Sequence, residues 1–259
     1  MKRGFICMAV FAIAAGIFWI STFSTYKKST DNILPALSDT GFVVMELFTS
    51  QGCSSCPPAD ELLGIYAAKN DSHIISLAFH VDYWNRLGWV DSFSSNLYST
   101  RQRDYAEKFN AESVYTPQLI INGKKQIVGS DRSKSDIIIN DFLKEKASVT
   151  IKATVIRAVD NKIQVDYVLS KVMSNTVINA ALVQENIVTQ VKAGENQGRK
   201  LTNYNVVRNF KTIQSPGTSG EFILEFPKGN MQGKYQVILF TQDNISGAIS
   251  GAAKLSCNL

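Results

Sequence analysis

The sequence predicts an α/β domain followed by a small all-β, sandwich-like domain, with a hydrophobic helix at the N-terminus. Before residue 148, apolar runs typical of buried strands alternate with segments whose apolar residues have helical spacing. After it, apolar and polar residues alternate with period two, and no helix is indicated. Of the 259 residues, 45% are hydrophobic and 19% are charged, which is sufficient for a packed core. We therefore assign residues 41–147 to the α/β domain and residues 148–259 to the all-β domain.

The first 28 residues form a hydrophobic segment with basic residues at both ends. Lys2 and Arg3 precede an uncharged stretch from Gly4 to Tyr26, which is long enough to span a bilayer core. A cleaved signal peptide and a retained membrane anchor both fit this stretch, and either one carries the following residues across a membrane. The sequence thus predicts an exported protein, periplasmic, secreted or anchored at the outer face of the inner membrane. Residues 29–40 are polar, contain one proline and predict a linker.

The basic excess of the chain belongs to this N-terminal segment. The net charge is +5, but 23 basic and 22 acidic residues remain when residues 1–28 are set aside. The body of the protein is therefore nearly neutral, which predicts no nucleic-acid partner and no membrane contact outside the N-terminal segment.

The first half is predicted to contain strands, helices and a hairpin. Apolar runs predict buried strands at Gly41–Thr49 and Ile74–Val81, and two more on either side of the Asn122-Gly123 turn. Helical spacing of apolar residues predicts helices after Pro58, over residues 93–110 and over residues 135–146. Arg101 and Arg103 fall outside the apolar stripe of the second helix, which predicts a solvated helix edge.

The second half is predicted to consist of strands and turns. Its first two strands meet at Asp160-Asn161, and three further strand candidates follow. The segment GENQGRK, residues 194–200, holds two glycines and two basic residues but lacks the spacing of a phosphate-binding loop, and it predicts an interstrand loop.

Cys53 and Cys56 form a C-x-x-C motif between a predicted strand and a predicted helix, which is typical of a redox pair. A thiolate near a helix N-terminus has a lowered pKa, and the two-residue spacing lets the partner sulfur resolve a mixed disulfide. A structural disulfide and a metal site remain as alternatives. The metal would be copper or zinc, with His80 as the candidate third ligand beside the two cysteines. Cys257 is predicted to be a free thiol.

His80 and Asp82 follow the second strand, and we expect them to form a hydrogen-bonded pair that fixes the loop. Trp84 and Trp89 are predicted to pack in the protein interior. Thr116-Pro117 opens a strand about sixty residues after the cysteines. A cis peptide bond there would place the Thr116 backbone beside the disulfide.

The order of these parts resembles the thioredoxin fold, with Thr116-Pro117 at its cis-proline position. More narrowly, the chain resembles the DUF1223 family of exported, thioredoxin-like bacterial proteins over roughly residues 41–255. The resemblance is carried by the segments VVMELFTSQGCSSCPPADELL, AFHVDYWNRLGW, STRQRDYA, VYTPQLIINGKKQIVGSD and GENQGRKLTNYNVVRNF. It implies a thioredoxin-like fold and, at Glu46, a buried carboxylate that relays protons.

The sequence predicts thiol–disulfide exchange with protein or small-molecule thiols and disulfides as partners and no cofactor beyond the disulfide itself. Cys53 would attack, Cys56 would resolve, and Thr116 and Pro117 would position the partner backbone. The alternative is a non-enzymatic module that binds a partner or a metal, with Cys53–Cys56 as a structural disulfide or copper site. The sequence alone leaves open whether the protein is an enzyme.

Overall fold

A computed structural model describes residues 41–228 and 233–257. The predicted N-terminal hydrophobic helix and linker lie outside the described residues. The strands are β1 (Val43–Thr49), β2 (Ile74–His80), β3 (Gln118–Ile121), β4 (Lys125–Val128), β5 (Ile151–Val159), β6 (Lys162–Leu169), β7 (Thr176–Gln190), β8 (Lys200–Gln214), β9 (Ser219–Glu225), β10 (Tyr235–Asp243) and β11 (Ile249–Cys257). The α-helices are α1 (Pro57–Ala68), α2 (Asn96–Lys108) and α3 (Arg132–Phe142), with a 3₁₀ turn at Asn85–Leu87.

The predicted fold class is wrong, because the protein is mostly β and one mixed sheet runs through both halves. The strand order of this eight-stranded sheet is β11-β10-β7-β8-β2-β1-β3-β4. The halves join where β8 runs parallel to β2, with Val206 opposite Ala78. All seven residues of β2 are buried, so its outer edge needs a covering strand. Period-two alternation correctly predicted strands in the second half, but it carries no information on which sheet they join.

The sheet has different partners on its two faces. Helix α2 packs on one face, where Tyr98 and Tyr105 join a core built from strands of both halves. On the other face, α1 and α3 cover the strands of the first half. A three-stranded sheet of order β5-β6-β9 covers β7, β10 and β11 there. None of the helices in the described ranges is long and apolar enough to cross a membrane.

One local feature places the second half close to α1, and two turns predicted from the sequence are present. Gly64 of α1 lies against the ring of Tyr204 from β8, where a Cβ atom would approach the ring to 2.7 Å. The predicted hairpin turn is present at Asn122-Gly123, where both residues have positive φ. The predicted turn at Asp160-Asn161 has the same backbone sign and joins β5 to β6.

Candidate redox site

The two cysteines lie between β1 and α1 and form a disulfide. Both are fully buried, whereas Ser54 and Ser55 between them are exposed. Helix α1 begins with two prolines, so Cys56 takes the N-cap position. The Cys56 carbonyl accepts hydrogen bonds from the backbone N–H groups of Ala59 and Asp60, at 2.9 and 3.1 Å. The helix therefore starts at the second cysteine rather than the first.

Thr116 lies beside Cys53, as its position before Pro117 predicted. The Thr116-Pro117 peptide bond is cis. The Thr116 hydroxyl donates to the Cys53 Sγ at 3.4 Å, and the Thr116 carbonyl oxygen lies 3.9 Å from the same sulfur. Trp84 donates from its indole N–H to the Thr116 hydroxyl oxygen at 2.8 Å, so Trp84 orients the residue that contacts the disulfide.

Glu46 lies on the other face of the sheet from α1. Alternate residues of a strand point to opposite faces, and Thr49 of the same strand bonds to Asp60 of α1. Glu46, three residues earlier, instead accepts hydrogen bonds from Arg101 and Tyr105 of α2. The structure therefore does not bring Glu46 to the cysteines.

Arg101 is not on a solvated helix edge, contrary to the sequence prediction. Its side chain is only 13% exposed and forms a two-pronged ion pair with Glu46, which is completely buried. The guanidinium also lies over four aromatic rings, those of Phe79, Tyr105, Phe210 and Phe240.

A buried polar cluster lies beneath the cysteine loop, at the ends of β1 and β2. Asp60 accepts a hydrogen bond from the Thr49 hydroxyl at 3.0 Å, and its other oxygen, Oδ1, has no partner among the described residues. Burial raises the pKa of Asp60 to about 7. His80 pairs with Thr49 in the strand register, and its Nε2 likewise has no hydrogen-bond partner in residues 41–228 and 233–257. Sequence analysis missed Asp60, which looks like an ordinary first-turn helix residue.

The partner of His80 is Asp91 rather than the predicted Asp82. The His80 Nδ1 lies 2.7 Å from the Asp91 Oδ2, which also accepts the backbone N–H of Gln51 at 2.9 Å. Burial lowers the pKa of His80, but the Asp91 charge and hydrogen bond outweigh it, so the net pKa is raised. Burial raises the pKa of Asp91, and the same pairing outweighs it, so that pKa is lowered. Both shifts favour an ion pair that holds the start of the cysteine loop.

The candidate metal ligands do not converge. Among residues 41–228 and 233–257, no three His, Cys, Asp or Glu side chains are grouped so that they could hold a metal ion. Cys53 and Cys56 bond to each other, and the Nδ1 of His80 faces Asp91.

Two residues of the second half contact the cysteine loop, and sequence analysis missed both. Asn196 is fully buried, and its side-chain amide donates to the carbonyl oxygens of Gln51 and Cys53, each at 2.9 Å. Glu195 accepts the backbone N–H of Ser54 at 2.9 Å. Both lie in the predicted interstrand loop, where such residue types are ordinary turn formers, so no local signal distinguishes them.

The two tryptophans that were predicted to pack also make polar contacts near the site. Besides the contact of Trp84 with Thr116, the Trp89 indole N–H donates to the Gln51 side-chain oxygen at 3.1 Å. The Gln51 amide in turn donates to the Thr189 hydroxyl at the end of β7. Gln51, which precedes Gly52 and Cys53, therefore bonds to residues of both halves of the protein.

Cys257 is a buried cysteine in β11, and among the described residues it is a free thiol, as predicted. Burial raises its pKa to about 12, so it is a poor nucleophile at neutral pH.

This fold and site define a mostly β protein with a buried C-x-x-C disulfide between a strand and a helix. The family model described as "Protein of unknown function (DUF1223)" matches residues 44–242, so the chain belongs to this family. It is similar to a protein from Agrobacterium tumefaciens known from its crystal structure, with 31% identity, a TM-score of 0.63 and coverage of 82% of this chain and 93% of that chain.

A second solved structure, a domain of the outer membrane lipoprotein Omp28 from Porphyromonas gingivalis, is 13% identical. It has a TM-score of 0.27, and the match covers 43% of this chain and 89% of that domain. None of the curated proteins matches the chain.

Proposed function

We propose that this protein carries out thiol–disulfide exchange through Cys53 and Cys56, with protein or small-molecule thiols and disulfides as substrates. The observation that carries the proposal is the contact of the Thr116 hydroxyl and carbonyl with the Sγ of Cys53, at 3.4 and 3.9 Å. A hydroxyl donor beside this sulfur stabilises negative charge that develops on it during exchange. The exported location indicated by residues 1–28 belongs to the same proposal.

The exchange begins from the disulfide when a substrate thiolate attacks the Cys53 Sγ. A substrate–Cys53 bond forms, the Cys53–Cys56 bond breaks, and Cys56 leaves as a thiolate that takes up a proton. A second substrate thiolate attacks the mixed disulfide, which releases Cys53 and the oxidised substrate. Two electrons pass from two thiols to the disulfide. In the reverse direction, the Cys53 thiolate attacks a substrate disulfide and Cys56 resolves it.

We propose that Asp60 exchanges this proton. It lies one helical turn after Cys56, and its backbone N–H donates to the Cys56 carbonyl. A pKa of about 7 lets a carboxyl group gain and lose a proton near neutral pH. Within the described part of the chain its Oδ1 makes no hydrogen bond, so this oxygen has room for a proton, while Oδ2 accepts from Thr49.

The test is a thiol-trapping redox titration of the full chain with Cys7→Ser and Cys257→Ala, so that only the motif cysteines react. A potential between roughly −120 and −270 mV is expected for an exchange protein. In turnover assays, Cys53→Ala should abolish exchange and Cys56→Ala should accumulate mixed disulfides, while Cys257→Ala alone should leave the rate unchanged.

The complete burial of both cysteines favours a second candidate, a structural disulfide. If the pair stays oxidised below about −300 mV, the structural role holds and exchange is excluded. Full activity in Cys53→Ala would also exclude exchange at this site.

A further inference from the structure

The loop between β7 and β8, residues 191–199, holds the Asn196 side chain against the backbone of the cysteine loop. Its ends are closed by hydrogen bonds from the Val191 N–H to the Arg199 carbonyl and from the Gly198 N–H to the Val191 carbonyl, both 2.9 Å. Within it, the Arg199 guanidinium donates to the Asn196 Oδ1 at 2.8 Å. This bond uses the Asn196 amide oxygen as its acceptor. It thereby orients the amide so that its N–H groups donate to the Gln51 and Cys53 carbonyls.

The same loop adds a negative charge at the exposed side of the motif. The carboxylate of Glu195 accepts a hydrogen bond from the backbone N–H of Ser54, the first amide after Cys53. This hydrogen bond lowers the pKa of Glu195, so the group is charged at neutral pH. A nearby negative charge disfavours a second one, and the Ser54 N–H is not available to a thiolate at Cys53.

We infer that the β7–β8 loop is a working part of the redox site, in which Asn196 positions Cys53 and Glu195 shifts the equilibrium toward the disulfide. This inference rests on the proposed function. Reduction converts an uncharged disulfide into thiols of which one can ionise, so a carboxylate bonded to the amide that follows Cys53 opposes it. The rigid hold on the Cys53 carbonyl keeps the disulfide beneath Ser54 and Ser55 and limits attack on its sulfur.

The charge is tested with Glu195→Gln, which keeps an oxygen acceptor for the Ser54 N–H. The measured quantity is the equilibrium constant for reduction of Cys53–Cys56 by dithiothreitol, in the background with Cys7→Ser and Cys257→Ala. We expect an increase of about threefold, as for an exposed charge, that shrinks in 1 M salt. Glu225→Gln on β9 is the matched control and should leave the constant unchanged, since Glu225 pairs with Lys162 in the other sheet.

The positioning role is tested with Asn196→Ala against Asn203→Ala. Asn203 is also buried and donates to a backbone carbonyl, that of Ile187, in the same hairpin but away from the cysteines. Both variants lose a buried donor, and Asn196→Ala should lose more free energy of unfolding because it removes three hydrogen bonds rather than one. Only Asn196→Ala should accelerate reduction of the disulfide by dithiothreitol, by about tenfold, because the Cys53 carbonyl is released.

Equal reduction rates in the two asparagine variants, or an unchanged equilibrium constant in Glu195→Gln at low salt, would overturn the inference. If Asn196→Ala does not fold, the Glu195→Gln result decides. The ratio of each variant to the unsubstituted protein tests the loop, whereas the absolute potential tests the proposed function. The two can therefore fail separately.

Discussion

At the scale of single residues, Asp60 links pH to folding. The folded protein holds the Asp60 proton up to about pH 7, because burial raises the pKa from its usual 3.8. The unfolded chain releases this proton near pH 4. Asp60 therefore supports folding fully below about pH 4, and this support is lost as the pH rises toward 7.

We expect Asp60→Asn to remove this pH dependence. From pH 4 to pH 8 the unsubstituted protein should lose about 4 kcal/mol of unfolding free energy relative to the variant, since one pKa unit corresponds to about 1.4 kcal/mol. Urea denaturation at several pH values measures both proteins. The side-chain amide oxygen that this substitution introduces can still accept from the Thr49 hydroxyl, so the hydrogen bond is kept. His80 and Asp91 are present in both proteins, and because the Asp60 charge itself raises the pKa of His80, the measured difference includes this coupling.

Asp141→Asn is the control, because Asp141 is 68% exposed at the end of α3. Its stability curve should follow that of the unsubstituted protein. Parallel curves for Asp60→Asn and the unsubstituted protein would show that Asp60 does not titrate in this range.

The residues of the site divide by how far apart in the chain their contacts are. Cys53 and Cys56 carry a local motif that is visible from their neighbours, whereas Thr116 was predicted from the order of the strands and helices around its proline. The role of Asn196 could not be predicted, because the carbonyl groups to which it donates lie more than 140 residues away in the chain. His80 was predicted to pair with Asp82, but its partner Asp91 comes from a loop whose path the sequence does not specify.

At the scale of elements, α2 is attached to the sheet by a buried ion pair. The guanidinium of Arg101 bonds to Glu46 of β1 and to Gln242 of β10, so one side chain ties the helix to both halves. Hydrophobic periodicity placed the helix correctly but assigned this arginine to solvent. A buried charge is tolerated only through its partners, and those partners lie on other elements.

We expect Arg101→Met to reduce the free energy of unfolding by about 3 to 5 kcal/mol, because it leaves the Glu46 carboxylate buried without its partner. The double variant Glu46→Leu, Arg101→Met should recover most of this loss, since an apolar pair leaves no buried charge. Urea denaturation of the two variants provides the measurement. Arg103→Met, on the exposed face of the same helix, should change stability by less than about 0.5 kcal/mol. A double variant as unstable as the single one would contradict this account.

At the scale of the whole molecule, period and composition predicted the elements but not their assembly. The predicted change from helices to strands near residue 148 agrees with the observed elements, since no α-helix follows α3 in the described residues. It does not mark the edge of a sheet, because β8 continues the sheet of the first half. The strand that covers the edge of β2 comes from more than a hundred residues away in the chain. The local sequence pattern carries no information on such a distant pairing.

This shared sheet predicts that both halves unfold together. Several contacts join them, among them the pairing of β8 with β2, the bond of Asn196 to the cysteine loop and that of Arg101 to Gln242. In a background with Cys7→Ser and Trp19→Phe, the fluorescence of Trp84 and Trp89 reports the first half. Labelling of the buried Cys257 thiol reports the second half. We expect the two probes to give the same urea midpoint, because neither half keeps its core when the sheet is split.

The comparison with Asn196→Ala makes this test sharper. Loss of the Asn196 contacts weakens one of these connections and leaves the others in place, so both midpoints should move to lower urea together. If the fluorescence midpoint moves and the Cys257 midpoint stays, the halves are independent folding units that merely touch. Joint movement instead means that a change in the β7–β8 loop is felt throughout the sheet, and that the disulfide and the second half form one cooperative structure.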